Sequence, residues 1–369
     1  VLGVGGVMAA VSTIWMATSP MSGIALAVLS FSLIGLGVSA CGTSLLTLMA
    51  KQVPDNRRAQ AATTVWLMMI MGFAITAGVV GKLIDPYTPE VLLKVSASLS
   101  VLTSLITAIC LWRLEKTGIA SVPEEKKPSA DFKQTFKEVW SEPKARTFTI
   151  FVFLSMLAYS AQDLILEPFA GAIHGMSPGK TTQLSGWHHM GVLIGMLSVA
   201  GASSRWVKGR LGSVQAWMVG GCLFSAMATV GLSSSALASM DFAWPLKANV
   251  IFLGIANGAF SIAAIATMMR LAGEGGEGRE GTRMGLWGAA QAAAFGLGGI
   301  VGTGASDLAH ALLQDSRSAY VAVFAFQSLM FIASALVALR MRAGAEVTAD
   351  ASTGELTDRG VYLKGGSLT

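Results

Sequence analysis

This sequence is short of charge. Asp, Glu, Lys and Arg make up 13% of 369 residues, where a soluble domain averages about 25%. So few charges cannot hydrate the surface of a water-soluble domain this long, and the mean hydropathy of +0.61 agrees. Cysteine is scarcer still, with three residues. Cys41, Cys110 and Cys222 all fall inside apolar runs, with neither metal-site spacing nor a disulfide framework. There is no P-loop, no glycine-rich nucleotide turn after a strand and no nucleophile constellation. No metal ion, nucleotide or bond-making chemistry is therefore expected, and the chain is read as a non-enzyme. The basic residues behind the net charge of +5 lie in short loops between apolar runs, a topology signal that does not argue for nucleic acid.

What is present is hydrophobic: 53% of the chain, with 42 glycines and 19 methionines. Glycine suits membrane helices, whose backbones approach closely at small residues. With roughly 20 apolar residues as the criterion, about ten spanning segments are expected. They fall near 1–17, 22–50, 60–82, 91–113, 147–170, 181–203, 213–233, 247–270, 284–306 and 318–341. Val1 already lies inside an apolar run, so the chain is expected to be a fragment cut within a helix.

Basic residues alternate between loops. Lys51 with Arg57 and Arg58, the cluster from Arg113 to Arg146, Arg205 to Arg210, Arg270 to Arg283, and Arg340 with Arg342 form one set. The positive-inside rule makes that set cytoplasmic and places the C-terminus inside. His174 and His310 are assigned to external loops.

An internal repeat organises the segments. Gly37–Ser44 parallels Gly254–Ser261, and Trp66 to Gly81 parallels Trp287 to Gly302. The second and third segments thus match the eighth and ninth in the same orientation, which predicts parallel repeats and a complete bundle of about twelve helices. The expected divisions are 1–113, the remainder of an N-terminal half lacking its first two helices; 114–146, a cytoplasmic linker; 147–342, a C-terminal half; and 343–369, a disordered cytoplasmic tail. Within the linker, Phe132, Phe136, Val139 and Trp140 share one face of an amphipathic helix, suited either to the membrane surface or to the underside of the bundle.

One stretch, residues 157–171, breaks the apolar rule. Asp163 and Glu167 stand one helical turn apart, with Ser155, Tyr159 and Ser160 on the same face. Pro168 predicts that the helix kinks or ends there. An intramembrane acid costs roughly 2.5–3.5 kcal/mol on insertion scales, so the pair should face protein, a cavity or a ligand. The alternatives are proton carriage, ligand binding and a structural hydrogen-bond network. The acids and the segment bearing His188 and His189 are expected at comparable depth, which makes one shared polar pocket plausible. Gly298 and Gly302 form a small-xxx-small pair for close packing.

The parallel halves, with Ser204–Gly212 as a degenerate basic loop, resemble the major facilitator superfamily. Cys41–Lys51, Tyr159–Gly171, Thr181–Gly186, Gly191–Met196 and Leu286–Gly299 are similar, more specifically, to its PucC/LhaA-type bacteriochlorophyll-delivery branch. The resemblance runs from about Gly35 to Arg340. It implies an all-α, major-facilitator-like membrane protein of a photosynthetic bacterium's intracytoplasmic membrane. Its function would be to bind or deliver bacteriochlorophyll, as cargo, to antenna polypeptides. The competing classes are a proton-coupled transporter of a small amphipathic solute, using Asp163 and Glu167, and a pigment-free chaperone of antenna helices. Under the pigment reading, His188 or His189 is an axial ligand for magnesium, at most one of the two facing a given pocket, with Trp187 as a flat neighbour. Trp287 and Gln291, following Arg283 at four-residue spacing, would line a cleft together with Asn257. Helix packing is the competing explanation for these three.

Overall fold

The computed structural model describes residues 1–54, 57–112, 132–202, 213–237, 245–273 and 280–362. The expected hinge at 123–128 and the basic loop at 204–212 lie outside them. The described residues form an all-α membrane protein without a strand: α1 (Leu2–Thr18), α2 (Pro20–Gln52), α3 (Arg58–Leu83), α4 (Pro89–Leu111), α5 (Phe132–Ser141), α6 (Pro143–His174), α7 (Pro178–Ala202), α8 (Val214–Leu237), α9 (Leu246–Gly273), α10 (Glu280–Leu313) and α11 (Ser316–Tyr362). Every expected spanning segment is a helix. Eight are long and apolar enough to cross a membrane, and α1 is a shorter apolar helix of 17 residues. Helix α7, though 25 residues long, is not among the eight: Lys180, Thr181, Thr182, Gln183, Ser185, His188 and His189 crowd its first half.

The helix starts follow local chemistry. Proline opens α2 and α4, where its missing N–H costs nothing, and Thr88 caps α4 by accepting the Val91 N–H at 3.1 Å. Asp315 caps α11, accepting the Ser318 N–H at 2.8 Å.

The chain divides into two units, Val1–Pro128 with Ala170–Trp187, and Ser129–Phe169 with His188–Thr369. In the first, α1 packs on α2 and α4 through small residues. A Cβ on Gly5 would lie 2.9 Å from Ile34, and the Ser100 hydroxyl donates to the Gly3 carbonyl at 3.2 Å. Ser177 donates to Asp85 at 2.9 Å.

In the second unit, α8 packs between α9 and α11 around a core that includes Phe148, Phe151, Met218, Phe260, Trp287 and Phe331. Two close helix crossings shape it. Gly191 and Gly195 of α7 meet the α9 backbone from Ile251 to Ala259, where any added Cβ would collide with main-chain atoms. Gly298 and Gly302 of α10 meet Ser160 and Ala161 of α6, so this small-xxx-small pair is a packing feature. Helix α5 lies against α10 with Val139 fully buried. Trp140 on the same helix is 40% exposed.

Three expectations need correction. Helix α6 does not end at Pro168 but continues to His174. Proline removes one N–H, and in a spanning helix the freed carbonyl is tolerated where neighbouring groups take it up. Helix α11 runs to Tyr362, past Ala343, and no proline interrupts 343–362. His310 is helical in α10 rather than in a loop, its Nδ1 2.8 Å from the Ser306 carbonyl oxygen.

Candidate functional site

Asp163 of α6 and the imidazoles of α7 meet, together with amides and a hydroxyl that extend the polar contact into the core. Asn257 of α9 is fully buried and is the centre of the network. Its Oδ1 accepts from the Ser225 hydroxyl of α8 at 2.7 Å. Its Nδ2 donates to Gln162 Oε1 of α6 at 2.8 Å and lies 3.2 Å from His188 Nε2. An amide nitrogen has two hydrogens, so both contacts are satisfied when Nε2 of His188 is the acceptor. The proton of His188 then sits on Nδ1, which points toward Asp163 Oδ1 at 3.7 Å. That separation is too long for a hydrogen bond, and Nδ1 has no partner although His188 is fully buried.

The outer part of the site is more open. The Asp163 side chain is 39% exposed. His189 is half-buried, its ring 5.3 Å from that of His188. Tyr159 places its ring 6.1 Å from His188 and 6.2 Å from Phe295 of α10. Glu167 follows one turn beyond Asp163 and is half-buried. Asp163, His188 and His189 each offer a ligand atom within 4.8 Å of the others. This corrects the expectation that only one imidazole faces a given pocket. The backbone directions of neighbours differ by about 100°, but both rings are long enough to swing toward a carboxylate that sits between them.

Tyr159, Asp163, His188, His189 and Asn257 thus come together. Gln162 and Ser225 belong with them and were not assigned from sequence. The available signal was an amide and a hydroxyl inside apolar runs, groups that membrane helices use to bond one another.

Trp287 does not join them. It is 1% exposed and packs edge-on against Phe148 at 5.0 Å, fifteen residues before Asp163 on α6. At about 1.5 Å per residue, that is roughly 22 Å along the helix. Its indole is core, not a ligand surface. Arg283, one turn earlier, is also buried; it donates to the Leu271 carbonyl and to Glu142, tying α10 to α9 and to the start of α6. The four-residue spacing of Arg283, Trp287 and Gln291 identified a shared face correctly, but most of that face is packed. Gln291 is half-buried and stands one turn before Phe295, the ring that meets Tyr159. Trp187 is 43% exposed and belongs to the first unit.

Long apolar helices around a buried amide–imidazole network, with a half-open carboxylate beside it, define a multi-pass membrane protein with a polar site among its helices. A sequence model of the family described as PUCC protein matches residues 1–345, and the chain belongs to that family. It is 46% identical over 338 residues to the Rhodobacter capsulatus protein named Bacteriochlorophyll synthase 44.5 kDa chain, covering 92% of this chain and 77% of that one. A second Rhodobacter capsulatus protein, named only by its place in the puhA-bchM intergenic region, is 28% identical, with 88% and 68% covered. Protein PucC of the same organism is 28% identical, with 84% of this chain and 66% of that one covered.

Proposed function

We propose that this protein is an assembly factor for light-harvesting antennae, which holds bacteriochlorophyll in the membrane and hands it to antenna polypeptides. The observation that supports this most directly is the half-open polar site at Asp163 and His189, in a chain 46% identical to a protein named for bacteriochlorophyll synthesis. Neutral imidazole is a suitable axial ligand for a pigment's central magnesium. His189 is the better candidate, since it is half-buried whereas His188 is fully buried. Tyr159 and Phe295 supply aromatic edges for a flat macrocycle. The relative's name places it in pigment synthesis. Here, hydrogen bonds among a hydroxyl, two amides and an imidazole support holding a ligand, so the proposed role is that of a carrier rather than an enzyme. The setting proposed is the photosynthetic intracytoplasmic membrane, with the C-terminus cytoplasmic and two parallel helical halves.

The polar chain from Ser225 to Asp163 also favours a second reading, proton-coupled transport. Purification from pigmented cells separates the two. Under the carrier reading, mildly solubilised protein carries bacteriochlorophyll absorbance, and His189→Ala shifts or removes it. Pigment-free protein that takes up a solute against a proton gradient, with uptake abolished by Asp163→Asn, would refute it.

A further inference from the structure

We propose that Asp163, His188 and His189 form a binding site for a free divalent cation of the zinc type. This goes beyond pigment carriage and does not depend on it. Three observations carry it. First, the ligand atoms of the three side chains lie within 4.8 Å of one another. Ligand atoms about 2.0–2.2 Å from a tetrahedral zinc stand about 3.4 Å apart, so the 3.7 Å between His188 Nδ1 and Asp163 Oδ1 needs little closing. Second, His188 is fully buried, and its Nδ1 faces the carboxylate without a hydrogen-bond partner. A cation between the two atoms satisfies both. Third, the donor set of two imidazoles and one carboxylate suits zinc, and half-open Asp163 leaves room for water or a further ligand.

The surrounding amides support the same site. For Nδ1 to ligate, the His188 proton must move to Nε2 and be accepted there. Turning the Asn257 amide over presents Oδ1 to Nε2–H and Nδ2 to the Ser225 oxygen, atoms now 3.2 and 2.7 Å from those positions. Turning Gln162 over as well presents its Nε2, which otherwise lacks a partner, to Asn257 Oδ1. Both arrangements use the same heavy-atom positions. The network therefore supports either tautomer of His188, and in the second it orients the metal-bound ring.

Cobalt(II), a visible-absorbing stand-in for zinc, provides the test. Pigment-free protein without a polyhistidine tag, stripped by chelator in detergent, is titrated with cobalt(II), and zinc is then added. The expected result is a d–d band that saturates at one equivalent and is displaced by zinc. The band is lost in Asp163→Asn and His189→Ala and persists in His174→Ala. Asn257→Leu weakens binding about 10- to 100-fold. Thermal unfolding of each variant confirms that it is folded. No saturable band, or a band unchanged by Asp163→Asn and His189→Ala, overturns the site. Because pigment plays no part, failure here leaves the carrier reading standing, and absence of pigment from purified protein leaves this one standing.

Discussion

Nε2 of His188 meets the Asn257 amide at 3.2 Å, while Nδ1 of the same ring stops 3.7 Å short of Asp163. One side of the imidazole is anchored in the core, and the other faces a carboxylate it does not reach. Asn257 therefore has the larger structural role, while Asp163 stands half-open beside the network.

Replacing Asn257 should show this. Asn257→Ala leaves Ser225, Gln162 and His188 without their shared partner inside the bundle. A buried polar group left unpaired costs about 1–3 kcal/mol, so a loss of about 3 kcal/mol is expected in detergent unfolding. Ser225→Ala should cost about 1 kcal/mol, because it removes one hydroxyl and leaves the other two contacts of Asn257 intact. Equal losses for the two variants would refute this hierarchy.

Glycine substitutions should separate packed from open positions. A Cβ on Gly254 would lie 3.0 Å from both Gly191 Cα and Val192 N, backbone atoms that cannot rotate away. Gly254→Ala should cost about 1–3 kcal/mol through overpacking. Gly288 is helical with nothing within 4 Å of an added Cβ, and Gly288→Ala should raise stability by about 0.5–1 kcal/mol. Thermal unfolding in one detergent compares them directly.

The ion pair of Arg283 with Glu142 should respond asymmetrically. Arg283 is 8% exposed and Glu142 is 29% exposed. Glu142→Ala strands a buried guanidinium and should cost about 3 kcal/mol. Arg283→Met leaves a carboxylate that water reaches, with an apolar chain filling the space, and should cost less. Chemical-denaturant midpoints of both variants measure the difference; a larger loss for Arg283→Met would contradict the account.

Asp315 predicts an acid-dependent loss. The Ser318 backbone N–H, followed by the Ser318 hydroxyl, holds its carboxyl below the ordinary value. A lowered folded-state pKa stabilises above the unfolded value, about 3.9, and the contribution is lost as pH falls through the folded value. Unfolding of the parent and of Asp315→Asn should therefore differ by a constant amount above about pH 5 and converge below about pH 4. A gap that widens in acid would reverse the sign.

Much of the helix inventory was legible because a spanning helix must be long and apolar, a requirement visible without knowing neighbours. The acid–histidine meeting was legible for a related reason: polar groups that cannot face lipid must find one another. What stayed hidden depended on facing. Trp287, from a four-residue stripe, and Asn257 both read as lining one cleft, yet one packs on Phe148 and the other bonds to side chains of three helices. A stripe shows which residues share a side, not what that side touches. The helix does not end at Pro168 because a spanning helix has few alternatives to remaining helical.

The glycine crossings have a mechanical consequence. Helices α7 and α9 are joined backbone to backbone at Gly191, Gly195, Gly254 and Gly258, and α6 is joined to α10 at Gly298 and Gly302. His188 and Asn257 ride on the first pair and Asp163 on the second. The 2.8 Å hydrogen bond from Asn257 to Gln162 ties the two pairs together. Close backbone contact within each pair and this bond between them leave little freedom in where His188 and Asp163 stand, so the 3.7 Å between them is set by helix packing and not by the two side chains alone.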